Sequence, residues 1–176
     1  MRVVRDVDIL SDARTQRLVT RLSLATLAAC ALVGAALAVG GAWRVAGLAP
    51  TLVALGAYLA CLPLHELVHA ALFLLLGPRG TRVRFGYATG MLYATCPGTV
   101  LSRGRFAAVL LAPCVVISAA CAVMGAALDQ PLLAWAVFAL HGAGCAGDLY
   151  FVWLILRTPE ATACEDTDRG MRLLAA

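Results

Sequence analysis

The chain has 176 residues, of which 62% are hydrophobic and 14% charged, with a formal net charge of +4. An ordinary soluble domain is about 45–50% apolar and about 25% charged, so this composition excludes a typical water-soluble enzyme and indicates one membrane-embedded domain over residues 1–176. The fourteen basic residues are all arginines, and no basic run is interleaved with aromatics in the way that nucleic-acid binding requires.

In chain order, the first twenty residues alternate Arg and Asp and carry no recognisable mechanism. A first apolar segment follows over about 22–42, bounded by Arg21 and Arg44. Ala36-Leu37-Ala38 resembles a signal-peptide cleavage site. However, the polar lead holds Asp6, Asp8 and Asp12, and the apolar run exceeds the usual length of about 7–15 residues, which favours a retained span. The second segment, about 51–76, opens after Pro50 and closes at Gly77-Pro78, with Pro63 expected to kink it. The third and fourth cover about 106–128 and 132–156. Each has about the 20 residues that a bilayer demands. The expected fold is therefore an all-α membrane protein with four transmembrane helices.

Between the second and third segments, Thr81-Arg82-Val83-Arg84-Phe85-Gly86-Tyr87 alternates with period two and Met91-Leu92-Tyr93 follows Gly90. This predicts a small cytoplasmic β-hairpin. Phe85, Gly86 and Tyr87 on its first strand are candidates for binding an extended substrate strand edge to edge. Thirteen of the fourteen arginines fall before the first segment, between the second and third, or after the fourth. The positive-inside rule makes that side cytoplasmic, with both termini inside a multi-pass integral membrane protein.

The His and acidic residues inside these segments are His65, Glu66, His69, His141 and Asp148. Such groups are costly in hydrocarbon unless they are paired, so they mark function. His65-Glu66-Leu67-Val68-His69 is an H-E-x-x-H pattern: on a helix the two imidazoles project from one face, one turn apart, and can reach one ion. Glu66 points about 100° round the helix, where it can take a proton from a metal-activated water without being a ligand. Counting back from the cytoplasmic ends at 1.5 Å per residue puts His69 and His65 roughly 10 and 16 Å deep and Asp148 roughly 12 Å. Asp148 is thus the level-matched third ligand. His141, roughly 22 Å deep on a straight helix, falls one to two turns beyond and reaches the site only if the Gly142–Gly147 run breaks that helix. Of the seven cysteines, none forms a CxxC pair and most read as small hydrophobes. Cys145, three residues before Asp148, is the one placed to face the same site.

These residues resemble the intramembrane zinc metalloproteases of the site-2 protease class and, more closely, a small bacterial family of zincin-type membrane peptidases. The resemblance runs from about Leu64 to Gly170. It is carried by His65-Glu66-Leu67-Val68-His69, Phe85-Gly86, Tyr93-Ala94, Leu101-Ser102-Arg103, Leu111-Ala112-Pro113, Gly147-Asp148 and Asp168-Arg169-Gly170. It implies one Zn2+ held by His65, His69 and Asp148, with Glu66 as general base. It also implies cleavage of membrane-associated protein or peptide substrates in contact with the lipid bilayer. Site-2 proteases commonly carry Asp followed by Gly near an Asn, whereas here Gly147 precedes Asp148 and Leu149 follows. His141 is the candidate for the substrate or transition-state contact made by that Asn. Two other readings compete: a zinc-fastened scaffold or adaptor, which a fourth protein ligand such as His141 would favour, and a metal transporter. Nothing in the sequence fixes an oligomeric state.

Overall fold

The computed structural model describes residues 1–41, 43, 47–88 and 91–176. The end of the first expected span at Ala42, the Arg44 topology signal and Gly90 of the expected hairpin lie outside the described residues. In chain order the elements are β1 (Arg2–Asp8), α1 (Ala13–Val39), α2 (Leu48–Leu76), β2 (Arg84–Ala88), β3 (Met91–Thr95), β4 (Val100–Ser102), α3 (Arg103–Ala127), α4 (Pro131–Gly144), α5 (Ala146–Arg157), β5 (Ala163–Thr167) and β6 (Gly170–Ala175).

Helix α1 starts where the Asp12 carboxylate accepts the backbone N–H groups of Arg14 and Thr15, each at 3.0 Å, a side-chain cap for donors that the first turn leaves unpaired. Helices α2 and α3 run unbroken through Pro63 and Pro113. All three are long and apolar enough to cross a membrane. In the most apolar stretch of α1 only 6% of residues are buried, and in that of α2 only 22%. Most of their apolar surface therefore needs a cover that this fold does not supply, and lipid tails are such a cover.

The expected all-α bundle of four spanning helices is overturned in two respects. The fourth segment is not one helix: α4 and α5, of 14 and 12 residues, meet at Cys145 with a bend of 52°. Neither half alone has the length of about 20 residues needed to span. The Cys145 N–H closes α4 on the carbonyls of His141 and Gly142, at 3.1 and 3.2 Å. Gly142, Gly144 and Gly147 flank the break, and each favours a helix interior less than alanine by up to about 1 kcal/mol.

The second respect is the ends of the chain, which are strands. A four-stranded antiparallel sheet runs in the order β1-β6-β5-β4, so the two termini pair with each other. Along β6, Met171 and Leu173 are fully buried while Arg172 between them faces outward, the alternation of a half-buried strand. Arg172 stands opposite Asp6 on one side and Glu165 on the other and reaches their carboxylates at 2.9 and 3.7 Å. The turn into β6 needs glycine: Gly170 has φ +156°, and a Cβ there would lie 2.1 Å from the Val7 carbonyl oxygen. The hairpin of β2 and β3 forms a separate two-stranded sheet.

The buried apolar cluster lies where the four-stranded sheet meets one end of the helices. Phe73 of α2, Phe106 and Val109 of α3, and Leu154 and Ile155 of α5 bury against Met171 and Leu173 of β6.

Candidate metal centre

His65 and His69 lie one turn apart on α2, and Asp148 lies in the first turn of α5, where the positive end of the helix dipole favours a carboxylate. His65 Nε2 is 3.0 Å from His69 Nε2 and 3.1 Å from Asp148 Oδ2, and His69 Nε2 is 3.5 Å from the same oxygen. An ion with bonds of about 2.0–2.2 Å to tetrahedral ligands has ligand atoms about 3.3–3.6 Å apart. The three atoms thus sit near the spacing that a zinc ion would impose. His69 Nδ1 lies 3.0 Å from the Val109 carbonyl oxygen. A carbonyl can only accept, so Nδ1 carries the proton and Nε2 is left with a free lone pair.

Glu66 opens on the same cavity, of about 570 Å³, and is held by backbone. The Ala94 N–H of β3 donates to Glu66 Oε2 at 2.6 Å. Phe85 is the register partner of Ala94, and since the Ala94 N–H turns away from β2, this pair does not exchange ladder bonds. The edge of β3 that carries Leu92 and Ala94 therefore faces the helix with the H-E-x-x-H pattern. Of the expected substrate-strand residues, Tyr87 lines the cavity while Phe85 and Gly86 do not. Gly86 acts by leaving space. A Cβ there would collide with the Tyr93 ring, so the glycine makes room for the tyrosine that lines the cavity.

His141 is not where a straight helix would put it. The bend at Cys145 brings its Nε2 to 3.2 Å from His65 Nδ1, on the side of the ring opposite His69 and Asp148. Cys145 Sγ lies 4.0 Å from the same His65 nitrogen and 3.8 Å from His141 Nε2. His65 thus belongs to two clusters whose donor atoms each lie within 4.8 Å of one another, one completed by His69 and Asp148 and the other by His141 and Cys145.

The sheet contributes parts of the site that sequence reasoning missed. Ile9 and Leu10, after β1, and the β5–β6 turn through Asp168 and Gly170 line the cavity from the side opposite the helices. Asp166 of β5 ties this sheet to the end of β3: its carboxylate accepts the Thr95 hydroxyl at 2.6 Å and the Cys96 N–H at 2.5 Å. Burial pushes the Asp166 carboxyl up to about 6, with those two hydrogen bonds acting in the opposite direction. In the sequence, Asp168-Arg169-Gly170 stands out only as an element of the family resemblance, and nothing local marks Asp166 as buried.

A protein-family model described as "Putative zincin peptidase" matches residues 58–163, more than half of the chain. The matched stretch begins in α2 before His65 and ends at the first residue of β5, so it contains both clusters around His65. No curated protein and no solved structure matches the chain.

Proposed function

The chain belongs to this zincin peptidase family, and from that premise we propose that it is a membrane-embedded zinc metallopeptidase, related to the site-2 protease class, that hydrolyses peptide bonds of membrane-associated substrates. The observation that carries the reading is the meeting of His65 Nε2, His69 Nε2 and Asp148 Oδ2 within 3.5 Å of one another, beside Glu66 in one cavity. These three atoms would hold one zinc ion and leave the fourth position open. Zinc supplies Lewis acidity toward the scissile carbonyl and brings the pKa of a water to about 7. Glu66 takes the proton of the attacking water and returns it to the leaving amine.

The hairpin supplies the substrate platform. Strands lie about 4.8 Å apart, so a peptide on the free edge of β2 would sit two spacings from the edge that Glu66 touches. An extended substrate therefore adds along β3, where Leu92 and Ala94 turn their backbone groups toward α2, and it takes over the Ala94 N–H from Glu66. Tyr87 and Tyr93 flank that path. The arginine distribution supports a cytoplasmic position for both termini and for the strand-bearing side of the domain.

A scaffold reading needs a closed set of four protein ligands. His141, the residue that would close it, instead faces the other nitrogen of His65. The test uses protein reconstituted in liposomes with a library of transmembrane peptides, read by mass spectrometry. Glu66→Gln should retain zinc while the cleavage rate falls by about 10²–10⁴-fold. Cleavage at the wild-type rate in that variant, or purification of wild type without zinc, would overturn the assignment.

A further inference from the structure

We propose that His65, His141 and Cys145 form a second metal-binding set, suited to a thiophilic ion, that competes with His69 and Asp148 for the imidazole of His65. The inference rests on side-chain geometry and donor chemistry and, for the competition, on the zinc site proposed above, but it does not require that site to cleave peptides.

The separations are 3.2 Å for His65 Nδ1 to His141 Nε2, 3.8 Å for Cys145 Sγ to His141 Nε2 and 4.0 Å for Cys145 Sγ to His65 Nδ1. With bonds of about 2.0–2.1 Å to nitrogen and about 2.3 Å to sulfur, a tetrahedral ion holds two nitrogens about 3.4 Å apart and a nitrogen and a sulfur about 3.6 Å apart. All three distances fall within a few tenths of an ångström of those values. Neither His141 nor Cys145 is accessible to solvent beyond 4% of its surface, so the set is built into the protein interior. The break between α4 and α5 is what assembles it. Cys145 is the residue at the bend, and its N–H is hydrogen-bonded to the carbonyl of His141. That i→i−4 bond is the ordinary helical one, so the two side chains stay one turn apart on one face.

A neutral imidazole has one nitrogen with a free lone pair and one that carries a proton. His65 turns Nε2 toward His69 and Asp148 and Nδ1 toward His141 and Cys145. An ion that takes Nδ1 moves the ring proton to Nε2 and removes His65 from the other set. The two sets also differ in donor type. Two imidazoles with a carboxylate suit a harder ion, whereas two imidazoles with a thiolate favour Cd2+ or Cu+. Coordination converts the Cys145 thiol to a thiolate and releases one proton to solvent, with no change of oxidation state.

The experiment is a titration of the zinc-loaded, detergent-purified full chain with Cd2+. The ultraviolet thiolate-to-cadmium charge-transfer band and the release of zinc to an indicator dye are followed together. Wild type should gain the band while losing zinc one for one. His69→Ala and Asp148→Asn should keep the band, Glu66→Gln should match wild type, and Cys145→Ser should lose both the band and the zinc release. His141→Ala should weaken cadmium binding while retaining zinc, which also reports that the variant is folded. The proposal is overturned by a band of wild-type size in Cys145→Ser, by its absence in wild type, or by cadmium and zinc bound together without displacement. A peptidase that shows no thiolate band refutes this inference alone. A thiolate band in a protein that cleaves nothing leaves it standing.

Discussion

The helical side of the cavity contributes side chains, and the sheet side contributes backbone and shape. From α2, α4 and α5 come His65, Glu66, His69, His141 and Asp148, with Cys145 behind them at the bend, and their chemistry is in their identity. From the strands come the Ala94 N–H on Glu66, the Cys96 N–H on Asp166 and a turn that admits only glycine at residue 170. The energetics divide in the same way. The spanning helices leave most of their apolar surface uncovered within the fold, while Met171 and Leu173 of the sheet are fully buried in the apolar core. The proposed metal chemistry and the stability of the fold therefore rest on different residues, and substitutions should separate them.

The largest separation is expected from His69→Ala. It deletes a proposed ligand and leaves the Val109 carbonyl without its donor, while its hydrogen-bonded and ion-paired partners lie on α2, α3 and α5. Zinc measured in purified protein should be lost, while hydrogen exchange in β5 and β6 stays slow. Zinc retained at the wild-type level would show that His69 is not a ligand.

Gly170→Ala tests the opposite side. Its φ of +156° and a Cβ 2.1 Å from the Val7 oxygen combine backbone strain, of about 1–3 kcal/mol, with overpacking of similar size. Thermal unfolding and hydrogen exchange should report a loss of about 2–4 kcal/mol centred on β1 and β6. Zinc content should change less than in His69→Ala. If zinc disappears in parallel with sheet protection, the two sides of the cavity are one cooperative unit.

This division also explains what could be read from the sequence. Residue identity and helical spacing place His65, Glu66 and His69 on α2, and depth along the helices brings Asp148 level with them. The same arithmetic put His141 too deep because it assumed a straight helix, and the glycine run between 142 and 147 says that a break is possible without saying that it occurs. The terminal sheet was illegible for a different reason. Arg2, Arg5, Asp6 and Asp8 in β1 look like topology charges, and Ala163-Cys164-Glu165-Asp166-Thr167 in β5 has little strand propensity. β1 is a strand because residues 2–8 meet residues 170–175, and β5 because it is paired on both sides, by β4 and β6; pairings from β1 to β6 and from β4 to β5 leave no local pattern. Backbone donors such as the Ala94 N–H are anonymous in any sequence.

Asp166→Asn probes the seam between the two sides with a smaller, pH-dependent effect. The carboxyl is pushed from 3.8 up to about 6 in the folded protein, so between those values the native state holds more proton than the unfolded chain. The stability that this proton contributes is fully present below the unfolded value and is lost as pH rises through about 6. Wild type should therefore melt at lower temperature at pH 7 than at pH 4 by this contribution, and Asp166→Asn should flatten that part of the slope. An unchanged pH profile would mean that Asp166 titrates as an exposed carboxylate does.

The smallest effect is expected where the sheet looks most strongly held. Arg172 bridges Asp6 and Glu165 across three strands, but its side chain is 43% exposed and that of Asp6 57%. Pairs in water gain about 0–1 kcal/mol because solvent screens them and ordering two long side chains costs entropy. Arg172→Met keeps the stem that lies across the strands and removes the charge. It should lower the melting temperature only slightly, because solvent screens these exposed pairs, and raising the salt concentration should bring wild type toward the variant. The burial of Met171 and Leu173 on the other face of β6 accounts for the remaining stability of the strand. A loss of several kcal/mol would reverse that ranking, making the charges rather than the buried face what holds the two termini together over the metal site.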